Sequence, residues 1–147
     1  MKRVHLLRYE GQPAALEALF AAVRAEGLRA GWLQVDPERR EEGPVEDAVE
    51  AGAFRAAAVA PGRVASVKRV TGPPVLRDLL REHFLGCALV VVRPGRAGSA
   101  LDAELSEVPT LELGPAGYRI TEPGQAAHEL SAEALAARLR RPHPWAV

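Results

Sequence analysis

The first 35 residues alternate apolar runs with amphipathic periodicity, and this pattern predicts a strand, a turn, a helix and a second strand. The short apolar run at 3–7 is the first strand. Pro13 suits the first turn of a helix, and apolar side chains then recur at about 3.6-residue spacing. These side chains are Leu16, Leu19, Phe20 and Val23. Gly27 is expected to end the helix, and the apolar residues 28–35 form the second strand.

The remainder of the chain continues this alternation. Strands are predicted at 54–60, 63–70, 87–93, 108–113 and 117–123, and helices at 45–53, 73–86 and 131–141. The two strands that meet across Pro61-Gly62 are expected to form a peripheral antiparallel hairpin. The most continuous apolar strand, 87–93, is expected in the centre of the sheet, and 117–123 at an edge.

Strands that alternate with helices predict an α/β fold with three layers and a mostly parallel sheet. We expect a single α/β domain over 1–142. The last residues, 143–147, are expected to form a mobile tail, with docking of Trp145 onto the domain as the alternative.

Composition narrows the range of functions. The formal net charge is zero and the isoelectric point is about 6.9, so the chain lacks the basic field of a nucleic-acid-binding protein. Apolar runs fall short of the roughly 20 residues that span a bilayer, and Glu10 interrupts the N-terminal apolar stretch. We therefore expect a cytoplasmic protein with no nucleic-acid or membrane partner. Cys87 is the single cysteine, and the histidines have no metal-ligand spacing, so we predict no metal site.

Four stretches resemble, in order, the small P-loop proteins of molybdenum cofactor biosynthesis, the MobB-type family. They are "LFAAVRAEGLRAGWLQV", "GPVEDAVEAGAFRAAAVAPGRVASVKR", "LLREHFLGCALVVVRPGR" and "EVPTLEL", and the resemblance covers about residues 3–113. It implies a P-loop NTPase-like fold, GTP and Mg²⁺ as ligands, and a homodimer. It also implies a partner, the guanylyltransferase that makes molybdopterin-guanine dinucleotide.

The phosphate-binding residues of that family are replaced in this chain. The family's turn ends in Gly-Lys-Thr, which grips phosphates and Mg²⁺. Here the degenerate turn reads Glu10, Gly11, Gln12 and Pro13, and the family's Glu-Gly after the central strand becomes Arg93-Pro94. We therefore predict a non-catalytic MobB-like adaptor that needs no cofactor and has no catalytic residues. The alternative is a GTP-binding protein with an altered phosphate site.

Arginines follow several predicted strands and form a candidate anion-binding site. The candidates are Arg8, Arg39, Arg93 and Arg96. Ligands of open parallel sheets bind at the carboxyl ends of the strands, and guanidinium groups bind phosphate without a glycine-rich loop. The alternative is that these arginines pair with nearby carboxylates such as Glu10 and Asp36.

The resemblance also implies self-association. The strand "RVASVKRV" on the peripheral hairpin carries apolar residues that a second copy of the chain could cover. We therefore expect a homodimer.

Overall fold

The computed structural model describes residues 4–35, 43–95, 101–115 and 117–146. Its strands are β1 (His5–Arg8), β2 (Ala30–Gln34), β3 (Arg55–Ala60), β4 (Arg63–Lys68), β5 (Leu89–Arg93), β6 (Thr110–Gly114), β7 (Gly117–Thr121) and β8 (His128–Leu130). Its helices are α1 (Glu17–Ala25), α2 (Pro44–Glu50), α3 (Leu76–His83), α4 (Asp102–Leu105) and α5 (Ala132–Arg138), and a 3-10 turn (Pro13–Leu16) precedes α1. Within these ranges no helix has the length and apolar character needed to cross a membrane.

The chain divides into two compact units. One contains 1–36 and 75–147, and the other contains 37–74. The first unit holds a six-stranded sheet in the order β2-β5-β1-β6-β7-β8. Strands β2, β5, β1 and β6 are parallel to one another, whereas the β6–β7 and β7–β8 pairs are antiparallel. The predicted α/β class, with a mostly parallel sheet and a separate hairpin, is confirmed.

Helices cover both faces of this sheet because successive side chains of a strand point to opposite faces. Leu89 and Val91 of β5 pack with residues of α1 and α5, on what we name the α1–α5 face. Val90 and Val92 pack with residues of α3 and α4, on the α3–α4 face. All four side chains are fully buried, so β5 is the apolar interior strand that its sequence predicts.

Trp145 lies in the core of the α1–α5 face and is only 4% exposed. Its ring meets that of the buried His5 edge to face, with 6.4 Å between the ring centroids. The C-terminal segment therefore contributes an aromatic side chain to the packing of β1.

Two elements of the first unit are absent from the sequence-based expectation. Strand β8 pairs with β7, so β7 is an interior strand and the expectation that 117–123 lies at an edge is wrong. The tripeptide of β8 is too short and too polar to give an alternating signal. Helix α4 has four residues, which is about one turn and below the length at which helical periodicity can be recognised.

The second unit contains α2 and the β3–β4 hairpin. Six residue pairs join the two strands, from Arg55↔Lys68 to Ala60↔Arg63. Val49 of α2 is buried, and its carbonyl accepts a 2.7 Å hydrogen bond from Arg69 Nη2. The hairpin itself is mostly exposed, and its sequence alternates little between polar and apolar residues. Four large apolar side chains of this unit are exposed: Phe54, Val59, Val64 and Val70.

Candidate functional site

The topology of the sheet favours a ligand crevice at the carboxyl ends of β1 and β5. These strands are neighbours, with Arg8 opposite Val92. The connection from β1 to β2 carries α1 on one face, and the connection from β5 to β6 carries α4 on the other. Neighbouring strands whose connections leave on opposite faces leave a gap between the loops, and ligands of open α/β sheets bind there.

The turn that leaves β1 is closed by the side chain of Tyr9. Tyr9 Oη donates a 3.2 Å hydrogen bond to the carbonyl of Gln12, and the N–H of Ala15 donates to the same oxygen at 3.1 Å. Gln12 is extended, and Pro13 starts the 3-10 turn directly after it. The tight path therefore depends on the phenol and on the fixed backbone angle of proline.

Gly11 is required by the position of this phenol. A β-carbon at residue 11 would overlap Tyr9 Oη and Cζ. Gly11 thus serves close packing of Tyr9 inside the turn, which is a different use of glycine from the approach of backbone to a phosphate.

Tyr9 belongs to the hydrophobic core of the α1–α5 face and is 4% exposed. Its ring meets Trp32 of β2 edge to face, with the centroids 6.2 Å apart. Tyr9 was not among the site residues predicted from the sequence. Its spacing from His5 and Leu7 could have indicated a buried position, because residues 5, 7 and 9 lie on one face if the strand continues to residue 9.

Arg8 lies on the opposite face from Tyr9. Its register partners are Val92 on β5 and Thr110 on β6, and Val92 packs on the α3–α4 face. Arg8 is half-buried, and its Nη2 donates a 3.2 Å hydrogen bond to Thr110 Oγ1. Arg8 is therefore held against the sheet by a neutral hydroxyl.

Arg93 is the last residue of β5 and pairs with Gln34 of β2. Its carbonyl accepts a 3.1 Å hydrogen bond from the N–H of Val35. Strand alternation places it on the α1–α5 face, beside Tyr9, whose N–H donates to Val92 at 2.9 Å. Arg8 and Arg93 therefore end neighbouring strands but lie on opposite faces of the sheet.

Arg39 and Arg96 lie outside the described residues, in 36–42 and 96–100. Arg8 and Arg93 do not share a face of the sheet, and anion binding by these four arginines stays a prediction. Glu10, Gln12 and Pro13 of the degenerate turn are exposed at its surface.

Burial shifts the pKa values of two side chains, Tyr118 of β7 and Cys87, which lies just before β5. Burial raises the pKa of the Tyr118 phenol, against the opposing effect of the Leu19 N–H, which donates to its oxygen at 3.1 Å. Burial also raises the pKa of the Cys87 thiol, and the nearby Arg29 opposes that rise. A raised pKa keeps the thiol protonated near neutral pH, which does not suit a nucleophile.

In the described part of the chain, no group of three or more histidine, cysteine, aspartate or glutamate side chains has an arrangement that could hold a metal ion. No protein-family model matches the chain, and no curated protein matches it either.

Proposed function

We propose that the protein is a non-catalytic, MobB-like adaptor of molybdenum cofactor biosynthesis that acts through contact with a protein or a phosphate-bearing ligand. The observation that carries this proposal is the packing of Tyr9 against Gly11 inside the turn after β1. That turn stands where a P-loop protein would wrap its backbone around phosphate.

The chemistry of the turn opposes a nucleotide phosphate. A phosphate needs N–H donors or cations, whereas Pro13 has no N–H and Glu10 adds a negative charge. The Gln12 carbonyl is an acceptor that already receives two hydrogen bonds. Binding of GTP in the P-loop manner would require Tyr9 to leave the core, with loss of its packing against Trp32.

The β3–β4 hairpin is the surface that we propose for protein contact. Val59 and Val64 face each other across the two strands and are 80% and 67% exposed. The segment 54–70 contains four cationic residues and no aspartate or glutamate. Exposed apolar side chains among charges of one sign are typical of an interaction surface. We propose that this surface contacts a second copy of the chain, the molybdopterin guanylyltransferase, or both.

Co-elution with the guanylyltransferase in size-exclusion chromatography tests the adaptor role. We expect a complex that is weakened by combining Val59→Glu with Val64→Glu, since two carboxylates would enter an apolar contact. Leu113→Glu is the matched control, because Leu113 is 53% exposed and lies in the other compact unit. Absence of a complex with the unmodified protein, or a complex indifferent to both hairpin substitutions, would contradict the proposal.

The alternative function is a GTP-binding protein with an altered phosphate site. It is favoured by the layout itself, because the strand-turn-helix sequence opens at the crevice between β1 and β5. In this alternative Tyr9 moves out when GTP binds.

A further inference from the structure

Arg8, Thr110 and Thr121 form one row across three neighbouring strands. Arg8 is in register with Thr110, and Thr110 is in register with Thr121 of β7. Residues in register share a face of the sheet, and all three side chains are half-buried on the α3–α4 face. The row thus places a guanidinium group beside two hydroxyl groups.

The row lies at a step in the sheet. Arg8 is the last residue of β1, whereas Thr110 is the first residue of β6, which runs parallel to β1. Strands β6 and β7, which lie on the other side of β1 from β5, therefore continue beyond the end of β1. A ligand at this step would lie at the carboxyl edge, where open α/β sheets bind ligands.

The charge of Arg8 is not balanced by a described carboxylate. Arg8 takes part in neither of the ion pairs Arg119–Glu129 and Arg140–Glu26. Within the described residues its guanidinium group donates to a neutral hydroxyl, although a guanidinium has five N–H donors. A half-buried cation of this kind favours an anionic ligand.

The neighbouring row of the same face is already paired. Arg119 and Glu129 meet at 2.9 Å, so their charges offset each other. Two carboxylates oppose an anion here: Glu112, which lies opposite Arg119 and two residues from Thr110, and Glu10, which lies two residues after Arg8. Both are exposed, so water and salt screen their charges.

We propose that Arg8, Thr110 and Thr121 bind a phosphate group, either inorganic phosphate or the terminal group of a phosphate monoester. The guanidinium fork supplies two parallel N–H donors, and the two hydroxyl groups donate to the remaining oxygens of the tetrahedral anion. This proposal rests on the phosphate-ligand part of the proposed function and adds the two threonines and the α3–α4 face to it.

Titration of the full chain with inorganic phosphate and with phenyl phosphate, followed by NMR, tests the site. We expect saturable shifts of the Thr110 and Thr121 signals at millimolar concentrations of one or both probes. Binding of phosphate alone identifies the free ion as the ligand, and tighter binding of phenyl phosphate identifies a monoester. Absence of saturable shifts with both probes would overturn the proposal.

Variants assign the binding to these residues. We expect Arg8→Ala to weaken binding about tenfold or more, and Arg8→Lys and Thr121→Val to weaken it less, because they keep the charge or the fork. Arg140→Ala is the control, because Arg140 is an exposed arginine that pairs with Glu26 at the end of α1, and this variant should bind like the unmodified protein. If Arg8→Ala fails to fold, Arg8→Lys and Thr121→Val decide, and undiminished binding in both overturns the proposal.

The outcome is separable from that of the adaptor proposal. The hairpin substitutions lie in the other compact unit, and the guanylyltransferase experiment contains no phosphate probe. Phosphate binding can therefore fail while the protein complex forms, or the reverse.

Discussion

The phenol of Tyr9 occupies the space in which a β-carbon on Gly11 would stand. The two residues are separated by Glu10 alone, and together they set the path of the turn between β1 and α1. Through this relationship the first residue after β1 becomes part of the hydrophobic core of the α1–α5 face.

Gly11→Ala should destabilise the protein because the added methyl group collides with Tyr9. Overpacking of this kind costs about 1–3 kcal/mol in the free energy of unfolding. Urea unfolding followed by circular dichroism measures the change.

The same substitution in a Tyr9→Leu background is the control. Leucine removes the atoms with which the methyl group collides, so Gly11→Ala should cost clearly less there. Equal costs in both backgrounds would show that Tyr9 and Gly11 are not coupled.

Tyr118→Phe should destabilise the protein at neutral pH because the buried N–H of Leu19 loses its acceptor. We expect a loss of about 1–3 kcal/mol for the unsatisfied donor. Thermal or urea unfolding at pH 7 checks this, and Tyr9→Phe, which removes a donor from a carbonyl that keeps a second bond, should cost less.

The raised pKa of Tyr118 also predicts a pH dependence. Above the ordinary tyrosine pKa of 10.0, the folded state holds this proton more tightly than the unfolded state. The contribution is complete below pH 10.0 and is lost as the pH rises through the folded pKa, so stability falls with rising pH. Unfolding measured across this alkaline range should show a shallower fall in Tyr118→Phe, and identical slopes would contradict the assignment.

Self-association through the hairpin predicts a dimer in solution. Light scattering across a tenfold concentration range should give twice the mass of the 15.7 kDa chain. Val59→Glu with Val64→Glu should shift the protein toward the monomer, because both side chains are exposed on the same hairpin. A monomeric mass for the unmodified protein at every concentration would dispose of the dimer.

The strands and helices of the parallel part of the fold could be predicted because each is marked by a pattern of apolar residues within its own segment of sequence. The apolar run of β5 and the helical stripe that includes Leu19 and Val23 each mark an element by periodicity. Strand β8 could not be predicted from the sequence, because its three residues are too few and too polar to show a periodic pattern.

The candidate site was only partly predictable. The sequence predicted that Arg8 and Arg93 lie at the ends of strands. It could not predict that they lie on opposite faces of the sheet, because this follows from the registers Arg8↔Val92 and Gln34↔Arg93, which periodicity alone does not give. Tyr9 was overlooked because the strand was expected to end at residue 7, which hid its alternation with Leu7. Thr110 and Thr121 join the site through long-range strand pairing, which leaves no local trace in the sequence.

The central claim, that the turn after β1 does not bind a nucleotide, is tested most directly by equilibrium titration with a fluorescent GTP analogue, with and without Mg²⁺. The phenol of Tyr9 inside the turn, Glu10 beside it and Pro13 without an N–H predict no saturable binding in either condition. Saturable, Mg²⁺-dependent binding at micromolar concentrations would contradict the account and favour the altered GTP site.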